Sequence, residues 1–428
     1  MPRSRIEKGK KLYSEFFAPV AQRFTEWVLD EAKKNGQKRL YFLARDGFIF
    51  HEIARSICEY RNLDIEIRYL KVSRCAVRSA QYFLMKERCL DIICVGGIDV
   101  SFRRMMRRAL LHDDEIEKLA CGLGIDIDRV LNYKEILHIK TLLSGDEKLL
   151  ELIYDRSRIN YHTAIGYLAQ EGLLDEVPYA LVDSGWVGTL QQSIEMLLQH
   201  EAGVNSDHKL VDVEGYYFGM YDIPPGLKED KYHCFYFSPR GDVKKKTLFS
   251  NCLFETVFSA PEGMTLGYRE GRSLYEPIES KMINPNAEYI TAFSDEQKVY
   301  TEQFLKKNIK ASVECKEALK NLQKLMSNPT KDQMDILGNM LFCDDILEDR
   351  VQPVAADLSI EDIKNQRLLN KILIMLKIKK AEIHESAWIE GSIVRNESVT
   401  SGALGHVRLY KELLYMRKAI GFGKRKRQ

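Results

Sequence analysis

The stretch RLYFLARDGFIF, residues 39 to 50, decides the fold. Its first six residues form an apolar run of strand length, and the hydrophobic residues from Phe48 onward have helical spacing. The charged turn RDG, residues 45 to 47, stands between the two segments. A second apolar run of strand length, IEIRYLKVS, follows at residues 65 to 73. This order predicts a β-α-β unit with parallel strands.

The same pattern of strand, turn and helix returns later in the chain. Residues 179 to 200, YALVDSGWVGTLQQSIEMLLQH, repeat it with a glycine-bearing turn, and residues 213 to 220 and 232 to 237 have the composition of further strands. Residues 12 to 34 place their apolar side chains at helical spacing. We therefore expect an α/β fold, with a mostly parallel sheet and helices on both faces.

The remaining segments have helical character and suggest how the chain is organised. Residues 80 to 175 indicate a large helical insertion, and the Lys/Glu/Leu-rich stretch from 290 to 380 indicates a helical C-terminal region. We predict a catalytic α/β domain over residues 1–275. A mainly helical region with a basic tail is predicted over residues 276–428.

Composition narrows the class of protein. The chain has 428 residues, 45% of them hydrophobic and 29% charged, with a net charge of +2, so we expect a soluble protein without a nucleic-acid partner. The 9 cysteines form no C-x-x-C pair, which favours a reducing, cytoplasmic setting over a zinc site. No apolar run approaches the roughly 18 residues that a membrane span needs.

Two aspartates stand where a predicted strand gives way to a helix. In open α/β sheets ligands bind at the carboxyl ends of the strands, which is where Asp46 and Asp183 are expected to lie. Gly185 and Gly188 would let the backbone approach a phosphate, and Thr189 would cap a helix or bind the phosphate itself. The alternative is that the glycines are plain turn residues and the aspartates only cap helices.

A second group of polar residues follows the second predicted strand. Arg74 and Arg78 are four apart, so on a helix they share a face, and Ser73 precedes them. A guanidinium group can bind two phosphate oxygens at once. A solvated helix face that binds no ligand would show the same sequence pattern. Glu255 lies in an apolar segment, where its carboxylate needs a partner; a structural ion pair with an arginine and a catalytic role both fit.

Several familiar chemistries lack their motifs in this sequence. There is no G-x-x-x-x-G-K-[ST] loop of a nucleoside triphosphatase, no G-x-G-x-x-G after the first predicted strand, and no G-x-S-x-G elbow. Phosphatases of the haloacid dehalogenase type need a D-x-D pair. The residue two after Asp46 is Phe48, so that mechanism has no second carboxylate here.

The motifs LYFLARDGF, YLKVSRCAVR, LVDSGWVGTLQ, GYYFG and FETVFSAPEG, in this order, resemble a family of bacterial polysaccharide-biosynthesis proteins. The resemblance covers about residues 10 to 270, and more loosely SAWIEGS near the C-terminal end. It is to the glycan phosphoribosyltransferase domain that follows a haloacid-dehalogenase-type phosphatase in dual-domain ribofuranosyltransferases. It implies transfer of a 5-phosphoribosyl group from phosphoribosyl diphosphate to a glycan, with inversion to a β-ribofuranosyl 5-phosphate.

The resemblance also implies roles for individual residues. Asp46 would be the base, Asp183 a second base or a magnesium-side carboxylate, and Arg45 a catalytic cation. Magnesium would be bound with the diphosphate donor, without a site formed by protein side chains alone. The residues expected to bind the substrate are Gly47, Ser73, Arg74, Arg78, Ser184, Gly185, Trp186, Gly188, Thr189, Gln191 and Glu255.

Partners follow from the same resemblance, and two other classes of protein stay open. The acceptor would be a lipid-linked glycan at the inner face of the cytoplasmic membrane, and a separate phosphatase would remove the 5-phosphate. The basic end of the chain, HVRLYKELLYMRKAIGFGKRKRQ, predicts peripheral contact with anionic lipid, or else a solvated final helix. The alternative functions are a phosphohydrolase and a non-catalytic binding subunit of a polysaccharide assembly complex.

Overall fold

Five parallel strands form the central sheet in a computed structural model of the protein. The strands are β1 Arg39–Leu43, β2 Glu66–Leu70, β3 Tyr179–Asp183, β4 Glu214–Gly219 and β5 Tyr232–Phe237. Their order in the sheet is β2-β1-β3-β4-β5. The structure describes residues 3–96, 100–204, 212–224, 228–307, 311–342, 351–396 and 400–425. The predicted β-α-β unit and the parallel sheet are confirmed.

Helices make up most of the rest of the described chain. They are α1 Arg3–Leu12, α2 Ala18–Lys34, α3 Phe48–Arg61, α4 Arg74–Met85, α5 Leu90–Ile93, α6 Phe102–Arg108, α7 Asp113–Leu123, α8 Tyr133–Ser144, α9 Glu147–Gln170, α10 Thr189–Val204, α11 Val243–Thr247, α12 Asn251–Val257, α13 Ala287–Lys307, α14 Ala311–Ser327, α15 Lys331–Leu337, α16 Ile360–Asn365, α17 Leu368–Met375, α18 Ile389–Arg395 and α19 Thr400–Arg425. A π-helical turn, Tyr13–Phe17, joins α1 to α2.

The side chains of β1 alternate between two cores, one on each face of the sheet. Leu40 and Phe42 belong to a cluster that also contains Phe50 of α3. Tyr41 and Leu43 belong to a second cluster, built with α4, α9 and α10. Successive side chains of a strand point to opposite faces, so helices must cover both faces to bury all of β1. The helices therefore lie on both faces, as the sequence predicted.

The helical insertion has a core of its own. A third cluster gathers buried side chains from Tyr82 to Tyr154, drawn from α4 to α9. Helix α9 then continues past this cluster and packs against the sheet through Tyr161 and Leu168. The insertion predicted for residues 80 to 175 is thus confirmed as helical, and its last helix ties it to the sheet.

Two short antiparallel pairs of strands lie outside the main sheet. Strands β6 Thr265–Glu270 and β7 Tyr275–Glu279 form a ribbon, and β8 Leu341–Phe342 pairs with β9 Gln352–Pro353. The predicted boundary after residue 275 falls on the first residue of β7. The core that contains Phe42 also contains Phe293 and Trp388. Residues on both sides of that boundary therefore share one hydrophobic core.

None of the helices within the described ranges is long and apolar enough to cross a bilayer.

Candidate functional site

A cavity of about 260 Å³ opens at the carboxyl ends of β1, β2 and β3. Strand β1 is flanked by β2 on one side and β3 on the other, so the chain reverses its direction of winding at this point. Crevices at such a reversal are where open α/β sheets bind ligands. The predicted residues that line the cavity are Arg45, Asp46, Ser73, Arg74, Asp183, Gly185, Trp186, Gly188, Thr189 and Glu255.

Ser184 connects the two aspartates of the cavity. Its hydroxyl donates a hydrogen bond to Asp46 Oδ2, and its backbone N–H donates to Asp183 Oδ1 at 2.9 Å. Burial, and then the charge of Asp46, raise the pKa of Asp183 well above its ordinary value. Asp183 is therefore held toward its protonated form, and Asp46 accepts the serine hydrogen. Ser184 itself is buried and does not line the cavity.

Glu255 places a third carboxylate at the cavity wall, where it is bound by the indole of Trp186. The indole Nε1 of Trp186 donates to Glu255 Oε1 at 2.5 Å, and the ring packs against Phe237, Phe249 and Phe254. Glu255 lies on α12, in the apolar segment that the sequence indicated. The sequence suggested an arginine as its partner; the indole N–H is a partner that the sequence did not suggest.

Ser73 and Arg74 begin α4 at the cavity edge. The Ser73 hydroxyl accepts a hydrogen bond from the N–H of Ala76 at 3.1 Å and donates to the carbonyl of Thr265 at 2.5 Å. It therefore caps α4 and fastens the β6–β7 ribbon beside the cavity. Arg74 is exposed and lines the cavity, so its guanidinium is accessible to a ligand.

Arg78 lies behind the cavity wall. Its Nη2 donates to Thr189 Oγ1 at 3.0 Å, which ties α4 to the first residue of α10. Burial, and then the charges of Arg74 and Arg108, lower the pKa of Arg78 to about 10. Arg78 therefore positions Thr189 and does not line the cavity. Of the two arginines of α4, Arg74 is the one that lines it.

The two glycines of the turn after β3 lie in close contact with strands β4 and β5. Gly188 has a φ of +74°, and a Cβ at this position would lie 2.4 Å from a ring carbon of Tyr232. A Cβ at Gly185, with a φ of +146°, would lie 2.2 Å from the carbonyl oxygen of Gly219. Glycine is needed at both positions because strands β4 and β5 approach so closely.

Gly47 and Gln191 lie outside the cavity lining. Gly47 precedes α3, and a Cβ there would lie 2.6 Å from the carbonyl oxygen of Leu43. The Gln191 amide donates to the carbonyl of Val213 at 2.7 Å and accepts from the Tyr217 hydroxyl at 2.7 Å. These residues support the turn and strand β4 and do not reach the cavity.

The far wall of the cavity comes from a segment that the sequence did not single out. Asn284 donates to Ser259 Oγ at 3.0 Å, and Asn286 exchanges hydrogen bonds with the backbone of Leu341 at 2.7 and 2.9 Å. The Asn-Pro-Asn sequence at 284–286 indicates a turn. Its role in the cavity depends on a fold-back over long sequence separation, which local patterns do not reveal.

Among the described residues, no group of three or more His, Cys, Asp or Glu is placed to hold a metal ion. The cavity combines a carboxylate able to accept a proton, Asp46, with the cations Arg45 and Arg74. That combination suits a ligand that carries both a hydroxyl to be activated and negatively charged groups.

A scan of the chain against protein-family models finds no match, and a search of curated proteins finds none either.

Proposed function

We propose that the chain is a glycosyltransferase of bacterial surface-polysaccharide biosynthesis, acting on O-antigen or capsule. It transfers 5-phosphoribosyl from phosphoribosyl diphosphate to a glycan acceptor. The observation that carries the proposal is the cavity at the β1/β3 reversal, where Asp46, Asp183, Arg45 and Arg74 meet. Phosphoribosyl transfer needs a proton acceptor beside cations, and the resemblance in motifs names the same residues.

In the proposed reaction, an acceptor hydroxyl attacks C1 of the ribose from the face opposite the diphosphate. The new C1–O bond forms as the bond to the diphosphate breaks, and this inverts the configuration at C1 to give a β-ribofuranosyl 5-phosphate. Asp46 takes the hydroxyl proton, and the diphosphate leaves with the bonding electron pair. Asp183, held toward its protonated form, leaves Asp46 as the member of the pair that accepts a proton.

Binding of the donor would use the cations and the helix starts around the cavity. Arg45 and Arg74 would hold the diphosphate through charge-assisted hydrogen bonds. The turn from Gly185 to Thr189 and the start of α10 would cradle the 5-phosphate, because the first N–H groups of a helix have no partner within it. Asp183 would be the residue that holds a magnesium ion bound with the donor, and the ion would offset the negative charge of the diphosphate.

The product of this reaction retains its 5-phosphate. Phe48 stands where a phosphoaspartate mechanism needs its second carboxylate after Asp46. We therefore expect a separate phosphoribosyl phosphatase to complete the ribofuranose, and a lipid-linked glycan as the acceptor.

Calorimetry with phosphoribosyl diphosphate, with and without magnesium, tests donor binding. Mass spectrometry of an acceptor pool extracted from the source cells, incubated with donor and protein, should show a phosphoribosyl increment. Release of phosphate from the donor without an acceptor would favour the phosphohydrolase, and binding without transfer would favour the binding subunit. A wild-type protein with no affinity for the donor would contradict the transferase proposal.

A further inference from the structure

Helix α17 turns an apolar stripe to the outside of the molecule. Leu369, Ile372 and Leu373 of the helix and Leu376 at its C-cap follow the spacing i, i+3, i+4 and i+7, so they lie on one side. Such a face normally packs on a core. Here Leu369 is 74% exposed and Leu376 is 64% exposed, and Ile378 just beyond the helix is 68% exposed.

A second exposed stripe lies on the neighbouring helix α19. Leu409, Leu413 and Met416 follow the spacing i, i+4 and i+7, and each is more than two-fifths exposed. The two helices touch where the Tyr410 hydroxyl meets Met375 Sδ at 3.6 Å. We call the combined surface the α17–α19 face; it consists of Leu369, Ile372, Leu373, Met375, Leu376, Ile378, Leu409, Leu413 and Met416.

Cations surround the α17–α19 face. The exposed basic side chains of the same segments are Lys364, Arg367, Lys377, Lys380, Arg408, Arg417 and Lys418. The acidic side chains nearby are fewer. Glu361 pairs with Lys379 and Glu385 with Lys371, Asp362 and Glu382 share His384, and Glu412 lies on α19. The rim of the apolar face is therefore positive.

We propose that the α17–α19 face binds the surface of an anionic lipid bilayer. Exposed leucine and isoleucine side chains enter the boundary between headgroups and acyl chains, and the surrounding lysines and arginines meet the negative headgroups. A second copy of this chain fits the face poorly, because it would bring the same positive rim against it. The protein would lie on the bilayer, since the described helices do not span one.

The position of this face also bears on the proposed transferase. Tyr410 and Leu414 of α19 and Lys371 of α17 line a second cavity, of about 390 Å³, and Phe342 lines both this cavity and the first one. A protein bound through the α17–α19 face would therefore hold the second cavity beside the bilayer. The link between the α17–α19 face and the transferase rests on the proposed function, whereas the proposal of lipid binding does not.

Vesicle flotation without any donor tests the proposal. The full chain should float with vesicles of phosphatidylcholine and phosphatidylglycerol. With vesicles of phosphatidylcholine alone it should remain at the bottom of the gradient. Added salt should weaken the binding to the anionic vesicles. The double variant Leu369→Glu, Leu376→Glu should lower binding at least about tenfold. Replacing Lys377 and Lys380 by Gln should also weaken it, with the apolar stripe intact.

The matched control is Ile159→Glu, Val204→Glu. Its two sites are 66% and 71% exposed and lie on α9 and α10, so the variant adds the same charges elsewhere. It should bind vesicles as the wild type does. Wild-type protein that does not float with anionic vesicles would overturn the proposal, as would equal losses of binding in Leu369→Glu, Leu376→Glu and in the control Ile159→Glu, Val204→Glu. A wild-type dimer in gel filtration that Leu369→Glu, Leu376→Glu separates would assign the face to self-association and also overturn it.

Discussion

At the scale of single residues, the link between Asp46 and Asp183 is the central feature of the candidate site. Each aspartate could be singled out from the sequence because it follows an apolar strand of recognisable length. The role of Ser184 could not be predicted from the sequence, because its hydroxyl links the ends of two strands that are far apart in the chain. The pKa shift of Asp183 was equally hidden, since it depends on burial and on the neighbouring carboxylate.

Replacing the proposed base should separate binding from transfer. Asp46→Asn should retain affinity for phosphoribosyl diphosphate, because it removes a negative charge near the phosphates, while transfer falls about 10²–10⁴-fold. Arg74→Ala should do the reverse and weaken donor binding by about 1.5–3 kcal/mol. Calorimetry and a transfer assay on the two variants check this. An Asp46→Asn protein with wild-type turnover would move the role of base to another residue.

The raised pKa of Asp183 predicts how stability depends on pH. Its folded pKa lies above the ordinary value of 3.8, so the folded state holds the proton more tightly, and stability is lost as pH rises through the folded pKa. Asp183→Asn mimics the protonated group, because its amide oxygen can accept from the Ser184 N–H and its NH₂ can donate. The variant should therefore gain stability over the wild type as pH rises above about 4, by up to about 1.4 kcal/mol for each pH unit between the two pKa values.

Thermal unfolding of wild type and Asp183→Asn from about pH 4 to about pH 8 measures this difference. A difference that stays constant across the range would show that the folded pKa of Asp183 is ordinary.

At the scale of elements, local patterns predicted the strands of the sheet and missed the ribbon. Strands β1 to β5 are short apolar runs between turns and helices, which is a strong local signal. Strands β6 and β7 are mostly exposed and carry charged residues, so their pairing depends on the docking of Tyr268 against the second core. The far wall of the cavity was missed for the same reason, since Asn286 reaches Leu341 across a long stretch of chain.

The turn after β3 can be tested by a matched pair of glycine substitutions. Gly188 and Gly241 have φ values of +74° and +80°, but only a Cβ at Gly188 would meet another group, the Tyr232 ring. Gly241→Ala should cost about 1 kcal/mol, from the left-handed conformation alone. Gly188→Ala should cost clearly more and should also weaken donor binding, because the turn must shift. Urea unfolding of both variants gives the comparison; equal costs would mean that the Tyr232 ring moves aside freely.

At the scale of the whole molecule, one hydrophobic core joins the sheet to the C-terminal helices. Tyr13, Phe42, Phe293 and Trp388 belong to the same cluster, and α13 packs against α1 and α3. The sequence pointed to a separate helical region after residue 275, because Lys, Glu and Leu become frequent from about residue 290. The amino-acid composition of those helices reflects their exposed faces. It does not reveal what their buried faces contact.

This shared core predicts a single unfolding transition. Trp388 is fully buried, and its Nε1 donates to the carbonyl of Met326 at 2.7 Å. Trp388→Ala should lower the free energy of unfolding by about 3–5 kcal/mol and should speed hydrogen exchange of the β1 amides as well. Tyr133→Ala, at a side chain that is 71% exposed, is the control. Unfolding in two steps, with β1 still protected in the first, would instead support two units divided near residue 275.

The late position of Trp388 in the chain has a consequence for synthesis. As the ribosome releases the polypeptide, all five strands emerge together with α2 and α3, before α13 and α14 exist to pack against those two helices. A nascent chain in this state presents the uncovered apolar sides of α2 and α3 to the cell, the kind of surface to which chaperones bind. Chains that stall or are cut between Glu279 and Trp388 should accumulate as aggregates or bound to chaperones, even though they contain all five strands of the sheet and the residues from Arg45 to Glu255 of the cavity.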